Sequence, residues 1–164
     1  MANAFEPVFE PDEPSPLGFT GRHARIGRAA GSERLGASIY ELLPGQSVCP
    51  YHWHAANEEL LIVLRGTPSL RTPQGIHELA EGEVVAFPVG EEGAHKVSNE
   101  GSEPARVLVV SEMNAPDVCV YPDSNKVMAR QQAPGTPATG LRVLFRLEDE
   151  VDYWDREVDE EEGS

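Results

Sequence analysis

The chain has 164 residues, 28 of them Asp or Glu against 13 Lys or Arg, for a formal net charge of −15. That length gives one folded core plus ends rather than two ordinary domains. The charge argues against nucleic acid and anionic membrane surfaces as partners, and the longest aliphatic run, Leu60 to Leu64, falls far short of the roughly twenty residues that cross a bilayer.

The first sixteen residues carry prolines at 7, 11, 14 and 16 among four acids, which forbids helix and predicts an extended arm. The same stretch lacks the basic start and apolar core of a secretory signal, so the expected compartment is the cytoplasm. Between Leu17 and Glu33 the pattern is weak, and Gly18, Gly21, Gly27 and Gly31 count against a helix over 22–30. Residues 1–34 are therefore read together as the arm.

From Leu35 the texture changes to short apolar or alternating runs: Ala37–Leu43, Leu60–Arg65, Ser69–Thr72, Ile76–Leu79, Val84–Phe87, His95–Ser98 and Ala105–Val110. Gly, Pro and Asn separate them at about ten-residue intervals, the rhythm of an antiparallel sandwich or barrel. Two further strands are predicted at Val118–Tyr121 and Leu141–Leu147, with an exposed loop over 131–140. The expectation is an all-β domain over 35–147, followed by an acidic tail over 148–164. Residues 148–162 hold ten acids and one Arg, a net of −9 that leaves −6 for the rest of the chain. Val151, Tyr153 and Trp154 interrupt this acidity and are expected to dock a short segment onto the barrel.

Only two cysteines occur, Cys49 and Cys119, in no CxxC arrangement, so they read as partly buried thiols rather than a disulfide or zinc framework.

The chemistry concentrates at His52-Trp53-His54, followed by Glu58-Glu59 and, further on, His95. Residues two apart in a strand share a face, so His52 and His54 project together. Imidazoles with a carboxylate suit a divalent first-row metal. Parity leaves the carboxylate open: Glu59 shares a face with Leu61 and Val63, and Glu58 shares the other with Leu60, Ile62 and Leu64.

The segment from Gly45 through His52 and His54 to Glu59 and Gly66 resembles the first motif of the cupin superfamily, and the segment Gly82 to Pro88 and Gly90, then Gly93-Ala94-His95 to Asn99, resembles the second. It departs from the family pattern in two turns: six residues rather than five separate Gly45 from His52, and Glu91-Glu92 lengthen the turn before His95. The resemblance covers about 35–111 and implies a single-domain antiparallel jelly-roll barrel with extended N-terminal arm and acidic C-terminal tail. It selects Glu59 over Glu58 and implies His52, His54, Glu59 and His95 as ligands of one divalent transition metal per chain, with zinc, iron, manganese, nickel and copper all compatible. Homodimerisation through strand exchange is a further expectation from the family.

The remaining residues take structural readings. Tyr51 and Trp53, with Cys49 in the same parity, should face away from the site as packing or dimer-interface residues, Glu58 should meet solvent or a salt bridge, and His77 and His23 should be exposed. Leu61 and Val63, with Phe87, should line an apolar floor that favours a small organic substrate over a highly charged one. Asn99 should form the turn after His95. The function expected is a metal-dependent enzyme of dioxygenase or isomerase type acting on a small molecule, with a non-catalytic metal- and metabolite-binding protein as the alternative. No catalytic acid or base is assignable, which mildly favours oxygenase chemistry.

Overall fold

The computed structural model describes residues 1–11, 14–136 and 139–157. Its strands are β1 (His23–Ala24), β2 (Leu35–Leu42), β3 (Trp53–His54), β4 (Glu59–Arg65), β5 (Ser69–Thr72), β6 (Gly75–Glu78), β7 (Val84–Phe87), β8 (Lys96–Ser98), β9 (Ala105–Glu112), β10 (Asp117–Tyr121), β11 (Lys126–Arg130) and β12 (Arg142–Arg146), with a short α-helix, α1 (Ile26–Ala30), and 3-10 turns at Glu91–Gly93, Pro122–Ser124 and Leu147–Asp149. They form three sheets in the orders β1-β2-β9-β4-β7, β12-β11-β10-β3 and β6-β5-β8. Every pairing between these strands is antiparallel, and β2 with β9 and β3 with β10 join segments far apart in sequence. The fold is an all-β jelly roll.

Alternation in β4 sets the interior. Leu61 and Val63 are fully buried, and with Leu42, Leu70, Leu79, Phe87, Val97, Ala105 and Val107 they form the core. Burial of each large aliphatic here contributes about 1.5–3 kcal/mol. Asn99 is buried as well. It donates from Nδ2 to the carbonyls of Leu42 and Glu103 and accepts at Oδ1 from the Gly101 N–H, which fixes the turn expected of it.

The glycine-rich segment 22–30 folds differently from its sequence reading. His23–Ala24 pairs with Tyr40 and Ile39 of β2, and α1 follows. A Cβ on Gly27 would come within 2.7 Å of the Ala37 backbone nitrogen, so this glycine lets α1 lie against β2. Gly31 then ends the turn in the left-handed conformation, at φ 87°. His23, expected on the surface, is buried instead, with Nε2 3.5 Å from Glu10 Oε2 and Nδ1 3.1 Å from the Gly21 carbonyl.

A strand absent from the sequence reading, β11, pairs with both β10 and β12. The described part of the acidic tail is exposed. Tyr153 and Trp154 are 82% and 59% exposed and pack edge-to-face on one another rather than docking on the barrel. Residues 158–164 of the tail lie outside the described ones. No helix among the described residues is long and apolar enough to cross a membrane.

Candidate metal centre

Four elements converge on one end of the barrel. His52 and His95 face each other across an antiparallel bridge, each N–H donating to the other's carbonyl at 3.1 and 2.9 Å. His54 ends β3 and Glu59 begins β4. The His52 and His54 Nε2 atoms lie 3.1 Å apart, and Glu59 Oε2 lies 3.7 Å from His54 Nε2 and 3.4 Å from His95 Nε2. All four side chains are largely buried, Glu59 at 11% exposure. Glu58, one residue away, is exposed, and its N–H donates to Glu112 Oε2.

The outer ring nitrogens explain why the inner ones point inward. His52 Nδ1 lies 3.0 Å from the Pro50 carbonyl, His95 Nδ1 2.9 Å from the Gly93 carbonyl, and His54 Nδ1 2.7 Å from Asp117 Oδ2. Each acceptor fixes the proton on Nδ1 and leaves the Nε2 lone pair aimed at the centre. Ring nitrogens and a carboxylate crowded this closely need positive charge between them, from a proton on His54 or from a cation in its place. Metal bonds of about 2.1 Å require donors about 3 Å apart, so the set fits a divalent ion. Phe87 stacks on His95 at 3.7 Å and Tyr121 on His52 at 5.8 Å, restricting both ring planes.

Burial lowers the His52 pKa, with Glu59 opposing. Burial, with the imidazole of His52, pushes His95 down to about 3. His54 is different: burial lowers it, but the Asp117 hydrogen bond, Cys119 and the Glu59 charge outweigh that and lift it to about 9. Two imidazoles are thus neutral at pH 7, and His54 would give up a proton on binding a metal. Burial pushes the Cys49 thiol up to about 12 and raises that of Cys119, so neither is a reactive thiolate.

The depressed His95 pKa has a measurable consequence. Between about 6.5 and 3 the unfolded chain binds a proton that the folded, metal-free chain refuses, so stability falls as pH drops through that window, by about 1.4 kcal/mol per unit. Urea midpoints of chelator-treated protein between pH 6.5 and 4.5 should show this fall. His95→Asn should make it shallower, the burial-depressed His52 still contributing, and identical slopes in the two proteins would refute the assignment.

Residues 38–111 match the family model for the cupin domain. The chain carries a cupin domain. No protein of curated function matches it in sequence. Among solved structures, the cupin is similar to a candidate sugar phosphate isomerase from Acidithiobacillus ferrooxidans, at 28% identity over 80% of this chain and 79% of that one, with a TM-score of 0.71. It is similar also to a sugar phosphate isomerase of the cupin superfamily from Silicibacter pomeroyi, at 26% identity over 82% and 81%, again with a TM-score of 0.71.

The site of this cupin extends beyond the two motifs. β10 pairs with β3, Cys119 opposite His54, and thereby places Asp117 on the outer nitrogen of His54. Asp117 is buried; its second oxygen accepts from the Ala56 N–H, and Cys119 Sγ lies 3.2 Å from His54 Nδ1. The His54 contact holds the Asp117 pKa down against burial, which would raise it. Asp117→Ala should weaken metal binding about 10–100-fold, with a smaller loss in Asp117→Asn, whose oxygen still accepts from Nδ1–H. Competition against a chromophoric chelator reads both, and wild-type affinity in Asp117→Ala would remove Asp117 from the site.

Tyr51 packs away from the centre under Arg71, 4.0 Å from its ring. Cys49, expected to face away too, puts Sγ 3.5 Å from the outer nitrogen of His52. Leu61, Val63 and Phe87 are buried in the core, as their inward parity requires. The unforeseen β11 adds Lys126 and Arg130 on the same sheet face as His54.

Proposed function

We propose that this protein is a metal-dependent isomerase of a small phosphorylated sugar, with residues 35–147 as its working unit, a homodimer as its assembly and the cytoplasm as its compartment. The observation that carries the proposal is the convergence of the His52, His54 and Glu59 donor atoms within 4.8 Å of one another, with His95 Nε2 3.4 Å from the Glu59 carboxylate. The likeness to a sugar phosphate isomerase and to a candidate one, over about four-fifths of each chain, supports the reaction type.

His52, His54, Glu59 and His95 would hold the ion, and a bound divalent metal supplies Lewis-acid polarisation of a carbonyl or hydroxyl oxygen. Burial, followed by the nearby thiols, raises the pKa of Tyr121, so its hydroxyl stays protonated at neutral pH and can donate to a substrate oxygen. This supplies a proton-bearing group beside His52, which sequence reading lacked, and tips the balance from oxygenase towards isomerase chemistry. Asp117 keeps the His54 ring oriented, and Phe87 excludes water from the His95 side. The exposed Val143, Leu144 and Phe145 on the sheet-edge strand β12 support a second copy as partner.

The test is interconversion of aldose and ketose phosphates in deuterated water by protein loaded in turn with zinc, iron, manganese, nickel or copper. Deuterium at the carbon next to the carbonyl is the expected result. Stoichiometric metal without interconversion or exchange would overturn the isomerase reading and favour a binding protein, and substrate-dependent oxygen uptake would favour a dioxygenase.

A further inference from the structure

The β11–β12 ladder carries an arrangement that a sheet in isolation disfavours. Its register sets Lys126 opposite Arg146 and Arg130 opposite Arg142, with Met128 opposite Leu144 between them. Like charges directly opposite destabilise a ladder, and this chain, with only 13 cations, places two such pairs on one hairpin.

The cations share the face that holds the metal-site residues. Cys119 pairs with both His54 and Met128, and Asp117 and Tyr121 pair with Arg130 and Lys126. That face therefore reads His54, Cys119, Met128 and Leu144 in its middle row. Arg130 and Arg142 lie on one side of it, and Lys126 and Arg146 on the other.

The two rows differ in their partners. Arg146 lies 3.5 Å from Glu148, and Lys126 Nζ sits 5.6 Å from the Tyr121 ring centre. Among the described residues, no carboxylate comes within ion-pair distance of Arg130 or Arg142. Arg130 donates from Nη2 to the Thr136 carbonyl at 3.3 Å, and its Nε is buried without a hydrogen-bond partner. In the same row as Arg130 and Arg142 lies Asp117, the Cα partner of Arg130, whose carboxylate is engaged by His54 Nδ1 at 2.7 Å.

We infer that Arg130 and Arg142 form the binding site for a phosphate monoester dianion, the charged end of a substrate whose other end reaches the His52–His54–Glu59–His95 centre. Two arginines at facing register positions exceed what a carboxylate satisfies, since one arginine already engages both of its oxygens, whereas the three terminal oxygens of a phosphate accept from both. The strands β11 and β12 are two and three strand spacings from β3, about 10–15 Å of sheet, and the long arginine side chains shorten that span to the length of a small sugar phosphate. The inference deepens the proposed isomerase reading and rests on it for the identity of the uncharged end only.

The test uses the full chain, chelator-treated, with inorganic phosphate as probe in isothermal titration and sodium acetate as the carboxylate arm. Phosphate should bind wild-type protein more tightly than acetate. Arg130→Gln and Arg142→Gln should each weaken phosphate about tenfold or more, and Arg28→Gln, on α1, should not. Because the arginine pair is repulsive when no anion is bound, Arg142→Gln should melt at or above the wild-type temperature without phosphate. Undiminished phosphate binding in both variants, or tighter binding of acetate, overturns the inference. A lowered melting temperature of Arg142→Gln without phosphate overturns it too, because the arginine would then be paired with an acid of its own chain. The binding and melting readouts need neither metal nor turnover; in a separate assay, isomerisation by variants that lack the phosphate site would overturn this inference alone, and phosphate binding without isomerisation would overturn the proposed reaction alone.

Discussion

Glu59→Ala is expected to lower affinity for a divalent metal more than about 100-fold, beyond the loss expected for a supporting residue, while Glu58→Ala keeps the wild-type value. Glu59 Oε2 is the atom common to His54 and His95, 3.7 and 3.4 Å away, so its removal leaves His95 without a carboxylate link to the other imidazoles. It also removes the negative charge that offsets a dication among neutral rings. Glu58 is exposed on the opposite face, its contact with Glu112 made through backbone. Chelator competition and metal content of untagged protein measure both variants. Loss in Glu58→Ala with retention in Glu59→Ala would mean that the strand is out of register by one residue, which inverts every inward position of β4.

The same parity shows how far the sequence carries. Leu61 and Val63 are buried as alternation with Glu59 requires, and the HxH spacing brings two Nε2 atoms to 3.1 Å. Those are period-two statements, and local sequence contains them. Asp117 is not of that kind. It reaches His54 because β10 pairs with β3 across sixty-odd intervening residues, and a lone acid before an apolar run carries no sign of that partner.

The strand β11 is hidden for another reason. Lys126-Val-Met-Ala-Arg130 offers three adjacent apolar residues between cations, a pattern with neither clean alternation nor a long apolar run. With β11 unread, the cations that it sets on the sheet face of His54 have no place in the sequence pattern. Glycines misled in the opposite direction: Gly27 and Gly31, counted as breakers, are the contact and the stop of α1. Composition records that a glycine is present, and only packing tells whether it ends an element or lets one approach.

Gly93→Ala should therefore be far more damaging than Gly82→Ala, although Gly82 has the positive φ of 86°. At Gly82 a Cβ would meet nothing within 4 Å, so only backbone strain opposes it, about 1–2 kcal/mol. At Gly93 the Cβ would stand 1.8 Å from the Pro88 carbonyl oxygen and 2.8 Å from its carbon. Those are backbone atoms that cannot rotate aside, and the cost reaches or passes the upper end of the roughly 1–3 kcal/mol of an overpacked core. A melting temperature lowered by about 6–12 °C follows for a chain of this size. The damage also has a chemical side. The Gly93 carbonyl accepts from His95 Nδ1, and the neighbouring Gly90 N–H donates to the His54 carbonyl at 2.8 Å, so displacing this turn turns His95 away from Glu59 and loosens His54. Gly93→Ala should thus lose metal affinity even at temperatures where it is fully folded, whereas Gly82→Ala should lose a little stability and none of its metal. Equal melting temperatures for the two variants would show that the turn yields, and that His95 is held by its stacking on Phe87 rather than by the backbone before it.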